Sequence, residues 1–488
     1  MQDVSLVLDV GKTNTKLFLF DASLRVVYEQ STATIEKPIS DGLLQDDLDT
    51  VWSWFLAELK KIGREKKFLV RAINATAFGA TLVHIDDQGK EIQPVYSYNS
   101  HPGEELEQEF RAWFSQLPGS NTRHATPHLA NFLIAAKQLF WISRHRPELA
   151  SQIRYSLFLP QYLIYKLSGV LISEATSYGC HTGLWDFEMM APSVPAIEGL
   201  GWQTRIPRLA DHGRLCQLDS SLAGLLQARG NIPVGAGMHD AAASLYPYLE
   251  SLDDPFILVT TGTWVIAQNP FAGFVLSEQD LQQDRLYYLT PQLQPVRAAR
   301  IYAGQEHELQ LRRICEHFGR APDEKNADIE TLLADFFAKP NEGVLTAETL
   351  HGSGPFPHVP RGTWDLSVFS SPEQAYARLC LDLAVLTAYL IDNVAEPGQK
   401  RMLVDGGFTR NPWFLKILSM LVQPCQLYIA DIANATALGA ALAVHHFWVP
   451  DFDSSSLLQL QPVETEHIAG LRVYAEWLLA LYDQQNHA

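Results

Sequence analysis

Cysteine is scarce in this chain: five occur, Cys180, Cys216, Cys315, Cys380 and Cys425, and no two of them form a CxxC pair. Such spacing makes no even disulfide framework, and free thiols in the cytoplasm are the expected state. Long apolar runs are also missing. The greasiest stretch, LCLDLAVLTAYLI at 379–391, is interrupted by Asp382 and falls short of a bilayer span. A first strand expected from Val4 into Asp9 leaves no room for the charged start and apolar core of a signal peptide. Positive charge is in deficit, with 37 Lys and Arg against 55 Asp and Glu and a formal net charge of −18. That balance opposes binding to nucleic acid or to an anionic membrane as the main task. An anionic ligand would need a local site.

What is present is enough apolar material for two packed cores. The 488 residues are 47 % hydrophobic, and a chain of this length predicts two domains of roughly 200 to 250 residues. SLVLDVGKTNTKLFLFD at 5–21 reads as strand, tight glycine turn and strand. VVYEQ from Val26 extends that sheet, and LVRAINATAF from Leu69 reads as a buried strand. Leu129, Phe132, Leu133, Ala136 and Phe140 lie at helical spacing, which predicts a helix from Leu129 that stops before Pro147. PFILVTTGTWVIAQNP from Pro255 repeats the opening pattern, with Gly262 answering Gly11, so each half of the chain is expected to present a similar hairpin. Further on, a long apolar helix from Gln374, a strand RMLVD, and helices from Asn411 and Asn434 are expected. The turn-rich ARGNIPVGAG at 228–237 marks a boundary. The expected domains are 1–237, 238–450 and a tail, 451–488, whose loop and last helix cross back onto the first domain.

Four segments could carry chemistry. DVGKTNTK at 9–16 ends an apolar strand on Asp9 and then offers backbone N–H groups, hydroxyls and a cation at Gly11, Lys12, Thr13 and Asn14. These suit phosphates, with Asp9 toward their magnesium; an ordinary hairpin with solvated polar residues fits the same letters. TTGTW at 260–264 offers Thr261, Gly262 and Thr263 in the same way. GAGMHDAAAS at 235–244 flanks a His-Asp pair with glycines and small residues. Asp240 there reads either as a helix N-cap or as a catalytic base at a domain junction, where small ligands tend to bind. His239 reads as a packed or hydrogen-bonded histidine. DGGFTRN at 405–411 has paired glycines that let a planar ring approach the backbone, or that simply turn a strand into a helix.

In order and spacing these segments resemble the FGGY carbohydrate kinases, of the superfamily that also holds actin, hexokinase and the heat-shock chaperone ATPases. DVGKTNTK is similar to the family's first phosphate motif, TTGTW to its second, and DGGFTRN with NATALGAA to its adenosine motif and following helix. Lys137, Trp141 and Pro147-Glu148 are similar to a K-x-x-x-W…PE stretch, and LFLPQYLIYKLSG at 157–169 to a DYL…LTG segment. The resemblance implies an α/β fold of two ribonuclease-H-like (actin-like ATPase) domains with a central cleft, sugar mainly on the first and ATP mainly on the second. It implies Mg2+ at Asp9 and Asp240, and ATP at Gly11, Lys12, Thr13, Asn14, Thr261, Gly262, Thr263, Gly407 and Asn411. It further implies sugar at Phe78, His239 and Asp240, with Asp240 as the base that takes the acceptor proton.

HDAAAS is more similar to the deoxyketose branch, rhamnulokinase and fuculokinase, than to the glycerol kinases. There are three departures, of which the first two bear on the identity of the sugar and none removes the phosphate machinery. Asn99 and His101 stand where the family often has Asp and Arg, Gln161 replaces the DYL aspartate, and HGSGPFPHVP at 351–360 stands where many members have GER. The expected activity is phosphorylation of a small sugar, L-fuculose, L-rhamnulose or a related ketose, with xylulose, ribulose or a polyol as alternatives. A small-molecule sugar is the expected partner, with no nucleic acid and no membrane, and a homodimer is left open. A competing class is a nucleotide-operated regulator on the same fold, which would need the nucleotide motifs but not Asp240. An oxidoreductase lacks support, because no GxGxxG follows the opening strand.

Overall fold

Val4, Leu6, Leu8 and Val10 line one face of the opening strand and Ser5 and Val7 the other, all buried. A strand hidden on both faces belongs in the middle of a sheet. In the computed structural model, which describes every residue except 41, 128, 229, 357–361, 431 and 488, it is β1 (Gln2–Val10) of a mixed sheet. β2 (Asn14–Phe20) and β3 (Val26–Ala33) follow it as antiparallel neighbours. β4 (Phe68–Ala77) pairs with β1 in parallel, and β5 (Pro233–Val234) and β6 (Met238–His239) pair in parallel with β4. The order β3-β2-β1-β4-β5 recurs in a second sheet. There β7 (Phe256–Thr261) is flanked by antiparallel β8 (Val265–Asn269) and then β9 (Pro295–Ile301) on one side. On its other side lie parallel β10 (Arg401–Gly406) and β11 (Gln426–Ile429). The short internal repeat read from two hairpins is therefore the start of two sheets of like topology.

The chain divides into two compact units, one of Met1–Asp253, Tyr287–Pro295 and Ala433–Leu457, the other of Asp254–Leu286, Val296–Ile432 and Leu458–Ala488. These limits differ from the expected 237/238 and 450/451, because helix Asp240–Ser251 packs on the first unit together with helix Ala435–His445. Contact between those helices is backbone-close: a Cβ on Gly439 would come within 1.9 Å of the Ala243 carbonyl oxygen. Asn74, buried in β4, donates to the Ala440 carbonyl at 2.8 Å and accepts from the Gly237 N–H at 3.1 Å. One amide thus fixes both that helix and the glycine turn that leads into His239.

In the second unit the helix Pro372–Val394 is buried along most of its length, as its apolar sequence predicts. Asp382, the charge that interrupts the run, accepts from Arg378 Nε at 3.1 Å, the Leu345 N–H at 2.9 Å and the Tyr474 hydroxyl at 2.6 Å. Residues 451–457 of the tail stay with the first unit, as expected, but Tyr474 lies on the last helix, Leu471–His487, and that helix packs in the second unit and does not return to the first. Its apolar face, with Leu471, Leu478 and Tyr482, completes the second core. Another departure concerns the helix expected from Leu129, which begins at Ala135. Asn131 takes a left-handed φ of 57°, and the Phe132 N–H donates to the Tyr98 carbonyl at 3.1 Å, outside any helical pattern. The helix ends at His145, before Pro147, as expected.

Among the described residues no two of the five cysteines form a disulfide, and no helix is long and apolar enough to cross a membrane. His84 is buried in the first core, with Nδ1 2.7 Å from Ser156 Oγ and Nε2 3.3 Å from Gln138 Oε1. Burial lowers its pKa from 6.5 to about 4, against the opposing pull of Gln138. Between those values the unfolded chain holds more protons than the folded one, so stability is lost as pH falls from about 6.5 toward 4. The loss expected from this residue is on the order of 3 kcal/mol. Thermal melts across that range should show it, and His84→Gln, which does not titrate, should flatten the slope.

Candidate active site

In each sheet the residues singled out in sequence gather at the carboxyl ends of parallel strands, the position where open α/β sheets bind ligands. In the first unit β1 ends at Asp9 and Val10, β4 runs into Phe78, and β6 ends at His239, with Asp9 opposite Thr76 and His239 opposite Ala77. Asp240 is the first residue of helix Asp240–Ser251. Its N-cap is His239, which makes no side-chain cap bond, so Asp240 is not the cap. The Asp240 side chain is 40 % exposed, its Oδ1 accepts from the Ala241 N–H at 2.7 Å, and His239 Nε2 lies 3.3 Å away. A carboxylate at a helix start, open on one side, is well placed to accept a proton from a ligand.

His239 is buried beneath it and held through its backbone N–H, which donates to Thr176 Oγ1 at 2.9 Å. Burial lowers the His239 pKa against the pull of Asp240. Its Nδ1 has no hydrogen-bond partner among the described residues. Asp9 is perturbed the other way. Burial, and then the like charge of Asp240, raise its pKa from 3.8 to about 7, with Lys16 opposing them. Lys16 is its cross-strand neighbour in β2. Two carboxylates therefore interact within the first unit with incomplete positive compensation. Among the described residues no three His, Cys, Asp or Glu side chains form a metal cluster. Asp9 with Asp240 fits a magnesium ion that takes its remaining ligands from phosphates and water, the usual habit of that ion, and does not fit an all-protein metal cage.

The hairpin between β1 and β2 closes with the Gly11 N–H donating to the Asn14 carbonyl at 3.0 Å, leaving Thr13 and Asn14 exposed at its tip. Lys12 departs from its expected place. Its ammonium is 2.5 Å from Asp46 Oδ1 and 2.7 Å from both Ser97 Oγ and Glu36 Oε1. Phe78 and Tyr98 meet edge to face at 5.7 Å. Burial, then the charges of Asp240, Asp46 and Glu36, push the Tyr98 phenol up to about 12. Of the positions where this chain departs from the common pattern, Asn99 donates to Glu36 at 3.1 Å and His101 Nδ1 lies 3.1 Å from Asn131 Oδ1. Gln161 donates to the carbonyls of Ala236 and Gly237 at 3.1 and 3.3 Å, so it supports the turn before His239. Part of the HGSGPFPHVP segment, 357–360, lies outside the described residues.

In the second unit Thr261, Gly262, Thr263, Gly407 and Asn411 all line one cavity of about 320 Å³. Gly262, Thr263 and Gly407 are exposed in it. Thr261 Oγ1 donates to the Asp405 carbonyl at 2.7 Å and accepts from the Phe408 N–H at 3.0 Å, joining the end of β7 to the turn after β10. Asn411 Oδ1 caps helix Pro412–Leu421 through the Phe414 N–H at 2.9 Å, while its Nδ2 donates to the Tyr376 hydroxyl at 3.0 Å. Asn411 therefore builds the cavity wall more than it offers polar atoms to a ligand. Sequence reading missed His307, Tyr376 and Gly304, which come from two other helices and carry no local signature. Phe408 and Arg410 were within reach, since they lie inside DGGFTRN. His307 Nε2 is 3.1 Å from the Tyr376 hydroxyl, its ring is 4.9 Å from that of Phe408, and burial lowers its pKa to about 4. A neutral aromatic wall of this kind suits a planar base, and the exposed hairpin backbone beside it suits phosphates.

Comparison with known proteins places both halves of the chain in one family. A family model for the N-terminal domain of the FGGY carbohydrate kinases matches residues 4–246, and one for the C-terminal domain matches 253–451. An L-fuculokinase of Salmonella typhi is 25 % identical over 270 residues, 54 % of this chain and 56 % of that protein. A rhamnulokinase of Yersinia pestis bv. Antiqua (strain Angola) is 33 % identical over 172 residues, 33 % of this chain and 31 % of that protein. The chain thus spans at most about half the length of these curated relatives. The crystal structure of a carbohydrate kinase from Novosphingobium aromaticivorans superposes with a TM-score of 0.81 at 25 % identity, covering 98 % of this chain and 100 % of that one.

Proposed function

Because this chain belongs to the FGGY family of carbohydrate kinases, we propose that it transfers the γ-phosphoryl group of ATP to a hydroxyl of a small sugar. The observation that carries this reading is the pair Asp9 and Asp240 at the strand ends of the first unit: one carboxylate half-buried and raised to about 7, the other 40 % exposed at a helix start. Unequal surroundings divide two carboxylates between two tasks. Asp240 takes the proton of the acceptor hydroxyl and orients its oxygen, and Asp9 with Asp240 holds magnesium. Bound there, the ion would offset phosphate charge. Gly11, Thr13 and Asn14 meet the γ-phosphate. Thr261, Gly262 and Thr263 meet the other phosphates, and Gly407 and Asn411 border the adenosine. Little covalent help is required, since phosphoryl transfer is governed by alignment and charge.

The acceptor we propose is a ketose of the L-fuculose or L-rhamnulose kind, placed against Phe78, His239 and Asp240. The names of the two curated relatives and the His239-Asp240 pair support this choice. Screening ketoses, aldoses and polyols for acceptor-dependent ADP release tests it. The deoxyketoses should give the highest kcat/KM. Activity confined to glycerol would overturn the ketose assignment, and no acceptor-dependent ADP release at all would overturn the kinase reading.

A further inference from the structure

Lys12 sits at the centre of the first phosphate hairpin, yet its ammonium has three oxygen partners inside the first unit. Asp46 Oδ1 is at 2.5 Å, Ser97 Oγ at 2.7 Å and Glu36 Oε1 at 2.7 Å, one for each N–H. The same ammonium lies 4.5 Å from the centre of the Tyr98 ring and 5.2 Å from that of Phe78, within cation–π range of both. Its partners are themselves tied. Asp46, whose side chain is fully buried, accepts from Thr81 Oγ1 at 3.3 Å, and Glu36 accepts from Asn99 Nδ2 at 3.1 Å and from Ser97. Four stretches of chain therefore meet around one ammonium: the hairpin tip, the segment 36–46 with Glu36 and Asp46, the segment after β4 with Phe78 and Thr81, and the segment with Ser97, Tyr98 and Asn99. Releasing Lys12 toward a phosphate would break all three bonds and leave Asp46 buried without a counter-charge, a steep cost.

On the reading that the chain phosphorylates a sugar, we propose that Lys12 is a positioning residue of the acceptor site and not a phosphate ligand. It locks Phe78 and Tyr98 in place and ties them to the hairpin that carries Gly11 and Thr13. Tyr98 lies within electrostatic reach of Asp240, and Phe78 follows the residue paired with His239. The wall held by Lys12 is thus the wall beside the base. A cationic side chain in a phosphate motif ordinarily binds the nucleotide; here its geometry turns it to the other substrate.

The test compares wild type, Lys12→Met and the double variant Lys12→Met/Asp46→Asn, the last of which removes both charges and leaves no bare Asp46 carboxylate. Acceptor KM, ATP KM and kcat are measured in the coupled ADP assay, ADP affinity by calorimetry, and melting temperature beside them. Acceptor KM is expected to rise at least about tenfold in either variant, while ATP KM and ADP affinity stay within about threefold of wild type. ADP affinity weakened about tenfold with acceptor KM unchanged would make Lys12 a phosphate ligand and overturn the proposal. A lowered melting temperature with every KM unchanged would overturn it as well, by reducing Lys12 to a structural role. If Lys12→Met does not fold, the double variant decides. Wild type that phosphorylates no acceptor refutes the kinase reading itself, whereas active wild type with unchanged acceptor KM in the variants refutes only the assignment of Lys12.

Discussion

Asp240→Asn is expected to lower acceptor phosphorylation by at least about a thousandfold, the span attributed to a positioned general base together with its orienting role. The substitution is nearly isosteric. Asn Oδ1 can still accept from the Ala241 N–H, now at 2.7 Å, and the side chain is 40 % exposed, so the fold should tolerate it. A surface change of this type shifts stability by about 0.5 kcal/mol or less. Nucleotide affinity should persist, since the cavity that holds Thr261, Gly262, Thr263, Gly407 and Asn411 contains no part of Asp240. The variant should also leave a trace on Asp9. The like charge of Asp240 is the second cause of the raised Asp9 pKa, after burial, so its removal lowers that pKa toward the usual carboxylate range. Near-normal turnover in a coupled ADP assay would remove Asp240 from the base role.

Gly304→Ala is expected to cost nucleotide affinity at least about tenfold and stability of about 1 to 3 kcal/mol, by overpacking against main chain. Gly304 is the second residue of helix Ala303–Phe318, and the hairpin with Gly262 and Thr263 rests on it. An added Cβ would fall 1.7 Å from the Gly262 carbonyl oxygen, 2.8 Å from the Gly262 carbonyl carbon and 3.0 Å from the Thr263 carbonyl oxygen. Each of these atoms is backbone, so no rotamer change relieves the clash. The adjacent Gln305 N–H donates to the same Thr263 carbonyl at 3.0 Å, which stops the hairpin from lifting without losing that bond. Calorimetric titration with ADP, together with a thermal melt, reads both effects. Wild-type ADP affinity in a folded Gly304→Ala protein would show that this hairpin does not cradle phosphate.

The candidate site residues were legible where their neighbours in sequence are also their neighbours in the structure. DVGKTNTK and TTGTW are hairpins, and a hairpin is local, so both turns and the strand-end position of Asp9 and Thr261 follow from pattern alone. Asp240 at the start of a helix follows from glycines before it and small residues after it. The seven-residue DGGFTRN likewise becomes strand end, turn and capped helix in place.

What sequence could not reveal are the meetings of distant segments. His307 and Tyr376 are 69 positions apart and share one bond in the second-unit cavity, and neither lies in a motif. The last helix joins the second unit because Asp382 needs a third partner and Tyr474 supplies it, a requirement set by burial of a charge and invisible in composition. Helix Ala435–His445 belongs to the first unit because Gly439 lets it press onto Ala243 and Asn74 ties down Ala440, contacts across 196 and 366 positions by number. Lys12 is the clearest case. Its sequence context alone made it a phosphate cation; tertiary structure brought Asp46, Ser97 and Glu36 within 2.7 Å of its ammonium and so decided its direction. Sequence by itself determined the order of strands, turns and candidate groups, because these depend on short-range backbone and side-chain preference. Only the tertiary structure decided which charges neutralise one another, because that depends on which buried groups are left without water.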